Sequence, residues 1–388
     1  MTSNLEKKPP IWRDERFWTI SLQVIVLVAV IAVIAVLGSN LNRNLQQTGT
    51  KFGFGFLGNP ASFPIGDSPF LTYNATDPYI KALLIGFTNS MRIGISGIIL
   101  TTIIGILAGI AQFSENWLLR KISVVYVEVV RNTPLLLQLF FWYFAVFFQL
   151  PPIAEKIEIA GALFLSQRGI YLPWPTFPQA WLSIVVVIIA AIAAFFVWRW
   201  RTKIMVEQGA SGQTQLFGLW ALALVALLVI AFGFGWQAPQ TLENGSISGG
   251  LRLSIEFSAL LMGLVFYTGA YIAEIVRAGI QSVPKGQWEA ARSLGLQSSS
   301  VMSFIVFPQA LRVIIPPLNS QYQNLVKNSS LGSAIAYPEI YNIANTTFNQ
   351  TGRPIEVLVI IMGTYLILNL IISLSMNLLN RSVQLAER

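Results

Sequence analysis

The sequence predicts an all-α membrane protein, a polytopic bundle of helices. Three observations carry this. Of 388 residues, 54% are apolar and only 11% charged, whereas a soluble domain carries about 25% charged residues. Eight separate stretches are long and apolar enough to cross a bilayer, which takes roughly 20 residues each. Most of the Lys and Arg fall between those stretches, where loops between spans put them.

The first stretch, 17–38, follows basic residues, as a signal peptide would. Its apolar core is about twice the usual 7–15 residues, so a retained anchor is expected. Segment 39–81 is rich in Gly, Asn, Pro and Thr, and Gly53, Gly55 and Asn59-Pro60 mark turns. The second and third spans are read at 82–111 and 122–149. Segment 150–179 carries Pro151-Pro152 and Pro173-Trp174-Pro175, with aromatics suited to the membrane interface. These two loops either touch something beyond the membrane or simply connect spans. The remaining spans are 180–199, 216–236, 252–278, 301–326 and 354–379.

Loop charge sets orientation. With the N-terminus inside, fourteen Lys and Arg face the cytoplasm: Lys7 to Arg16, Arg120, Lys121, Arg199 to Lys203, Arg277 to Arg292, Arg381 and Arg388. Seven face out: Arg43, Lys51, Lys81, Lys156, Arg168, Lys327 and Arg353. Both termini are therefore expected in the cytoplasm, with segment 280–300. The net charge of +8 reflects this bias; scattered basic residues are no nucleic-acid footprint. The chain has no His and no Cys, which removes imidazole bases, thiol nucleophiles, disulfides and the usual zinc ligands.

Residues 282–308 read SVPKGQWEAARSLGLQSSSVMSFIVFP. Pro284 suits a helix start, with Ser282 near the cap. Ala290 and Ala291 favour helix, and Gly295 suits a stop in the left-handed conformation. A cytoplasmic helix of two to three turns is expected between two spans. Trp288, Ala291 and Leu294 are read as one face that inserts into a partner's groove, with Gly286 nearby and Glu289 and Arg292 at the rim. The plainer alternative is an ordinary amphipathic loop.

Glu289-Ala290-Ala291, Gly295, Ile305 and Pro308 resemble the E-A-A-x3-G-x9-I-x-L-P signature of ABC-importer permeases. Phe307 departs from its Leu. In that family the element is the coupling helix that docks on the ATP-binding subunit. Glu128 to Gln138 (EVVRNTPLLLQ) resembles the E-x-x-R-N-T-P-L-L-x-Q segment of the polar amino-acid permeases. Tyr267 to Ile280 and Asn324 to Leu331 resemble the same group. The resemblance covers about 82–149 and 252–380 and implies a five-span, MetI-like core of the type I importers, with about three extra spans as in a longer subfamily. The expected organisation is a tail, extra span and outer loop over 1–81, two core spans over 82–149, an insertion with two extra spans over 150–251, and three core spans with the coupling helix 284–296 over 252–388.

Ionisable groups inside a bilayer are costly and face a cavity or partner. Glu128 with Arg131, Arg252 with Glu256, and Glu274 with Arg277 are spaced for pairing along a helix, and are read as structural. Arg312 lies deep in its span before Pro316-Pro317; it pairs either with a substrate carboxylate or with Glu128. Gln138, Tyr267, Thr268, Tyr365 and Asn369 fall at similar depth. They line a polar path or make helix–helix hydrogen bonds.

The chain has no G-x-x-x-x-G-K-[ST] loop. No cofactor is expected on it, and it is not expected to be an enzyme. The resemblance implies separate ATPase subunits that bind ATP and magnesium, a second permease chain (copy or paralogue), an extracytoplasmic amino-acid-binding protein, and a bacterial inner-membrane location. Two other classes are open to a chain of this composition. A secondary transporter or channel would show broken spans in corresponding halves, and no internal repeat is found. A membrane enzyme would need an intramembrane acid–base or nucleophile cluster, and only isolated carboxylates and hydroxyls remain.

Overall fold

In the computed structural model, residues 15–47, 52–175, 179–208, 211–242 and 245–383 are described. The N-terminal tail to residue 14, Lys51 and Arg388, all used above for orientation, lie outside them. Helix α1 (Glu15–Gln47) is long and apolar enough to cross a membrane over Phe17–Asn40, and its long Leu, Ile and Val side chains there are exposed. Such a helix is solvated by lipid rather than by protein.

Helices α2 (Tyr79–Ala111) and α7 (Ile255–Gln281) form the central pair. Small residues recur every fourth position on α2 at Gly97, Thr101, Gly105 and Gly109. A Cβ on Gly105 would sit 2.6 Å from the Cβ of Ile272, and one on Gly109 would sit 2.9 Å from the carbonyl oxygen of Ala273. Thr101 Oγ1 donates to the carbonyl of Val265 at 3.2 Å. Small residues let two spans approach to backbone contact, where dispersion and hydrogen bonding replace the hydrophobic drive that lipid removes.

The third apolar stretch is not one straight span. It divides into α3 (Trp117–Arg131) and α4 (Leu135–Phe140), the latter extended by a π turn and a 3-10 turn to Gln149. The two halves are bent by 109°. Pro134 has no N–H and biases Thr133 away from helix. Gln138 Nε2 donates to the carbonyls of Val130 and Thr133, at 2.9 and 3.0 Å, and so ties α4 back to the end of α3.

Beyond α4 the chain makes short strands: β1 (Ile157–Ile159), β2 (Leu163–Ser166), β3 (Gly169–Leu172) and β4 (Trp174–Pro175). It then makes an antiparallel hairpin of α5 (Gln179–Gln208) and α6 (Gln213–Leu228), which pack chiefly on each other. Strands β5 (Trp236–Gln237), β6 (Gln240–Thr241), β7 (Ile247–Ser248) and β8 (Leu251–Leu253) return it. The four-stranded sheet has the order β1-β2-β3-β8, with Ile170 opposite Leu253. The insertion thus leaves and rejoins the bundle at one place. The sequence reading did not foresee these strands.

After α7 come α8 (Lys285–Ser293), the single turn α9 (Ser298–Val301), a π turn, and α10 (Phe307–Asn328). The last two helices are α11 (Ile340–Thr351) and α12 (Pro354–Val383). Pro316 and Pro317 lie inside α10, which continues through them. Helix α10 packs on α7 and α12, and α11 packs on α2 and α12. The strands and α11 occupy one end of the bundle, and α8 occupies the other.

Candidate functional site

Helix α8 begins after Pro284, whose backbone is extended (φ −55°, ψ 136°), and no side chain caps it. Ser282 instead ends α7, where its hydroxyl donates to the carbonyl of Gly279 at 2.7 Å. At the far end Gly295 has φ +75°. The amide of Leu296 reaches the carbonyl of Ala291 at 3.3 Å and that of Gly295 reaches Arg292 at 2.9 Å. This pair of bonds closes a helix on a left-handed residue, as expected from glycine.

The faces of α8 differ from the expectation. Ala291 is buried and Trp288 packs inward with it, in the cluster that holds Val283, Val301 and Val306. These two residues hold the helix on its own bundle, because nine residues with few apolar groups have no other anchor. Leu294 turns outward at 80% exposure. Gly286, Glu289, Ala290 and Arg292 are also exposed, and neither charge pairs with a described residue. Gly286 has ordinary helical geometry and open space around it. Glycine in a helix costs about 0.5–1 kcal/mol relative to alanine, and nothing in this chain requires it there.

Next to this end, a cavity of about 450 Å³ lies between α2, α3 and α7. Its walls carry Arg120, Glu128, Arg131, Glu274, Arg277 and Gln281. Glu274 and Arg277 pair as expected, with Nε to Oε2 at 2.9 Å, and Arg277 Nη1 donates to Gln281 Oε1 at 2.8 Å. Arg131 does not pair with Glu128. It reaches across to Glu274 Oε2 at 3.8 Å and lies over the ring of Tyr271 at 5.4 Å. Arg131 ends α3 just before the break, so its guanidinium is presented to α7 rather than along its own helix. Glu128 is exposed, with no ion-pair partner among the described residues. The pairing of Arg252 with Glu256 is also absent. Arg252 belongs to strand β8, and the helix starts only after Ser254, so four-residue spacing has no helical meaning there. Arg252 Nε donates to the carbonyl of Arg168 at 2.9 Å.

The residues read as path candidates do not converge. Gln138 serves the break, and Tyr267 donates to the hydroxyl of Tyr271 at 3.3 Å. Thr268 is buried, Tyr365 donates to Glu339 Oε2 at 2.9 Å, and Asn369 donates to the carbonyl of Tyr365 at 2.7 Å. Arg312 is exposed and does not meet Glu128. It belongs to a polar ribbon along α10 that also presents Ser320, Asn324 and Lys327, with Gln309, Asn319 and Gln323 half-buried beside them. The spacing of three and four from Asn319 to Lys327, with Arg312 two turns before, was readable in the sequence.

The sequence reading also missed the polar core at the strand end. Arg92 Nη1 lies 3.2 Å from Asp67 Oδ1, and the guanidinium stands 3.7 Å over the ring of Phe257. Ser254 donates to Asp67 Oδ2 at 2.7 Å, and Asn89 Nδ2 donates to the carbonyls of Asp67 and Pro338 at 2.8 and 2.9 Å. Glu339 caps α11 through the amides of Tyr341 and Asn342, and burial pushes its carboxyl up to about 7. An acidic loop residue far from its partner in sequence gives no local signal of such contacts.

Residues 101–385 match the family model described as Binding-protein-dependent transport system inner membrane component. A putative amino-acid ABC transporter permease protein of Escherichia coli K12 is 40% identical over 94% of both chains. The general L-amino acid transport system permease protein AapQ of Rhizobium johnstonii is 40% identical over 97% of this chain and 94% of its own. The glutamate/glutamine/aspartate/asparagine transport system permease protein BztB of Rhodobacter capsulatus is 36% identical over 97% and 96%.

Proposed function

Because this chain belongs to the binding-protein-dependent transport system inner membrane components, we propose that it is the membrane-spanning permease subunit of an ATP-driven amino-acid importer. The amino-acid substrate follows the names of its relatives. The observation that carries the reading is α8, anchored by Trp288 and Ala291 on its own bundle while Gly286, Glu289, Ala290, Arg292 and Leu294 stay bare. A helix built this way docks on a separate subunit, and Gly286 lets that subunit's backbone come close.

The partners are two ATPase subunits that hold ATP and magnesium, a second permease chain, and an extracytoplasmic binding protein that delivers the solute. The α8 end faces the cytoplasm of a bacterial inner membrane, with both termini inside. The polar ribbon of α10 lines the pathway against the second permease, since polar groups at bilayer depth face a cavity or a partner. The chain of contacts Arg131–Glu274–Arg277–Gln281 leads from the break in α3/α4 to the α8 loop. Closure of the ATPase pair moves α8 and, through it, the spans. Each ligand shifts the inward and outward states only by its difference in affinity for them. This chain performs no covalent step. A single broken span, without a counterpart among the described residues, gives no support to a secondary transporter.

Gly295→Pro tests the reading, because proline cannot adopt φ +75°. The assembled complex in proteoliposomes is expected to lose ATP-driven uptake of L-amino acids while its subunits still co-purify. Uptake at the wild-type rate would overturn the role given to α8.

A further inference from the structure

At the strand end of the bundle, a second polar cavity of about 240 Å³ lies between segment 63–67, the start of α7 and the segment 336–346. Its walls include Asp67, Arg252, Ser254, Glu256, Asn342 and Thr346. Asp67 is buried and fixed by Arg92 and Ser254, so the floor is rigid and its charge is spent. The other two charges are not spent. Glu256, in the first turn of α7, has no ion-pair partner among the described residues. Arg252 uses only Nε, on the carbonyl of Arg168, and its two terminal nitrogens bond to no described residue.

One guanidinium and one carboxylate thus face a common space without closing on each other. The strand–helix junction at Ser254 separates their backbones and prevents the helical pairing. The cavity is smaller than the roughly 300 Å³ at which pockets for drug-sized ligands begin, so a peptide is excluded. A small molecule with both charges on neighbouring atoms fits this arrangement. Asn342 and Thr346, one turn apart on α11, offer uncharged polar groups beside it.

We propose that this cavity is an acceptor site for a free α-amino acid before it enters the spans, with Arg252 taking the carboxylate and Glu256 the ammonium. The proposal rests on the importer reading above, which puts this end toward the delivering protein. It adds a site on the permease itself that both charges of the solute must satisfy.

The test is uptake of radiolabelled L-glutamine by the full complex in proteoliposomes, measured at rising binding-protein concentrations up to saturation. Arg252→Gln and Glu256→Gln are each expected to raise the apparent KM about ten-fold, the cost of one charge-assisted hydrogen bond, with kcat and basal ATP hydrolysis unchanged. Arg252→Lys should recover most of the loss. Unchanged KM in both variants, with a wild-type complex that imports glutamine, overturns this site and leaves the importer reading standing. A KM shift that vanishes as binding protein is raised also overturns it, because the two residues then hold the protein and not the solute. A wild-type complex that imports no amino acid overturns both readings.

Discussion

Asp67 and Arg92 meet with side chains 10% and 8% exposed, across 25 positions of sequence. Removing one partner of a buried pair leaves an uncompensated charge and costs about 3–5 kcal/mol, whereas replacing both by apolar groups is often neutral. Asp67→Ala is therefore expected to lower the thermal-unfolding midpoint of the detergent-purified complex sharply. Asp67→Leu with Arg92→Met should recover most of that loss, and a double variant no better than the single one would refute the argument. Gly295 shows the opposite situation. Its conformation, not its contacts, is what matters, since no atom outside its neighbours lies near a Cβ built there. That is why Gly295 was legible from the chain, while Asp67 was not: the first is a local backbone requirement, and the second depends on which distant side chain arrives.

Among elements, α2 and α7 depend on glycine at the contact. Gly105→Leu places a branched side chain where Ile272 and the carbonyl of Gly269 already stand. Overpacking costs about 1–3 kcal/mol, and more where backbone must move. The variant should unfold at lower temperature than Gly363→Leu, whose site on α12 has open space; equal midpoints would rule out close packing at Gly105. The broken span and α8 show how far element reading goes. The run 122–149 is apolar enough on both sides of the segment from Glu128 to Pro134 for hydropathy to read one span, although the Pro134 signal was present in it. For α8, position, length and stop were readable, because they follow from Pro284, Ala290, Ala291 and Gly295. Which face turns inward was not, because Trp288 suits a partner's groove and its own bundle equally well by composition. Only the neighbouring cluster around Val283 and Val306 decides it.

At the scale of the whole molecule, the α5–α6 hairpin hangs from paired strands whose ends lie side by side, with Pro175 opposite Trp236. Replacing residues 176–235 by a four-residue Gly-containing turn closes a short β-hairpin there. The remaining chain is expected to fold, to co-purify with its ATPase, and to keep its unfolding midpoint within a few degrees. A core that no longer accumulates would show that the hairpin holds it together. The sequence by itself determined the class of solvent, the set of apolar stretches and the α8 stop, because hydropathy and backbone preference act over a few neighbouring residues. Tertiary structure alone decided the ion-pair partners of Arg131 and Arg92 and the face α8 keeps for itself. Those depend on which groups distant in the chain come within contact, and contact energies fall off over a few ångströms, so no local pattern encodes them.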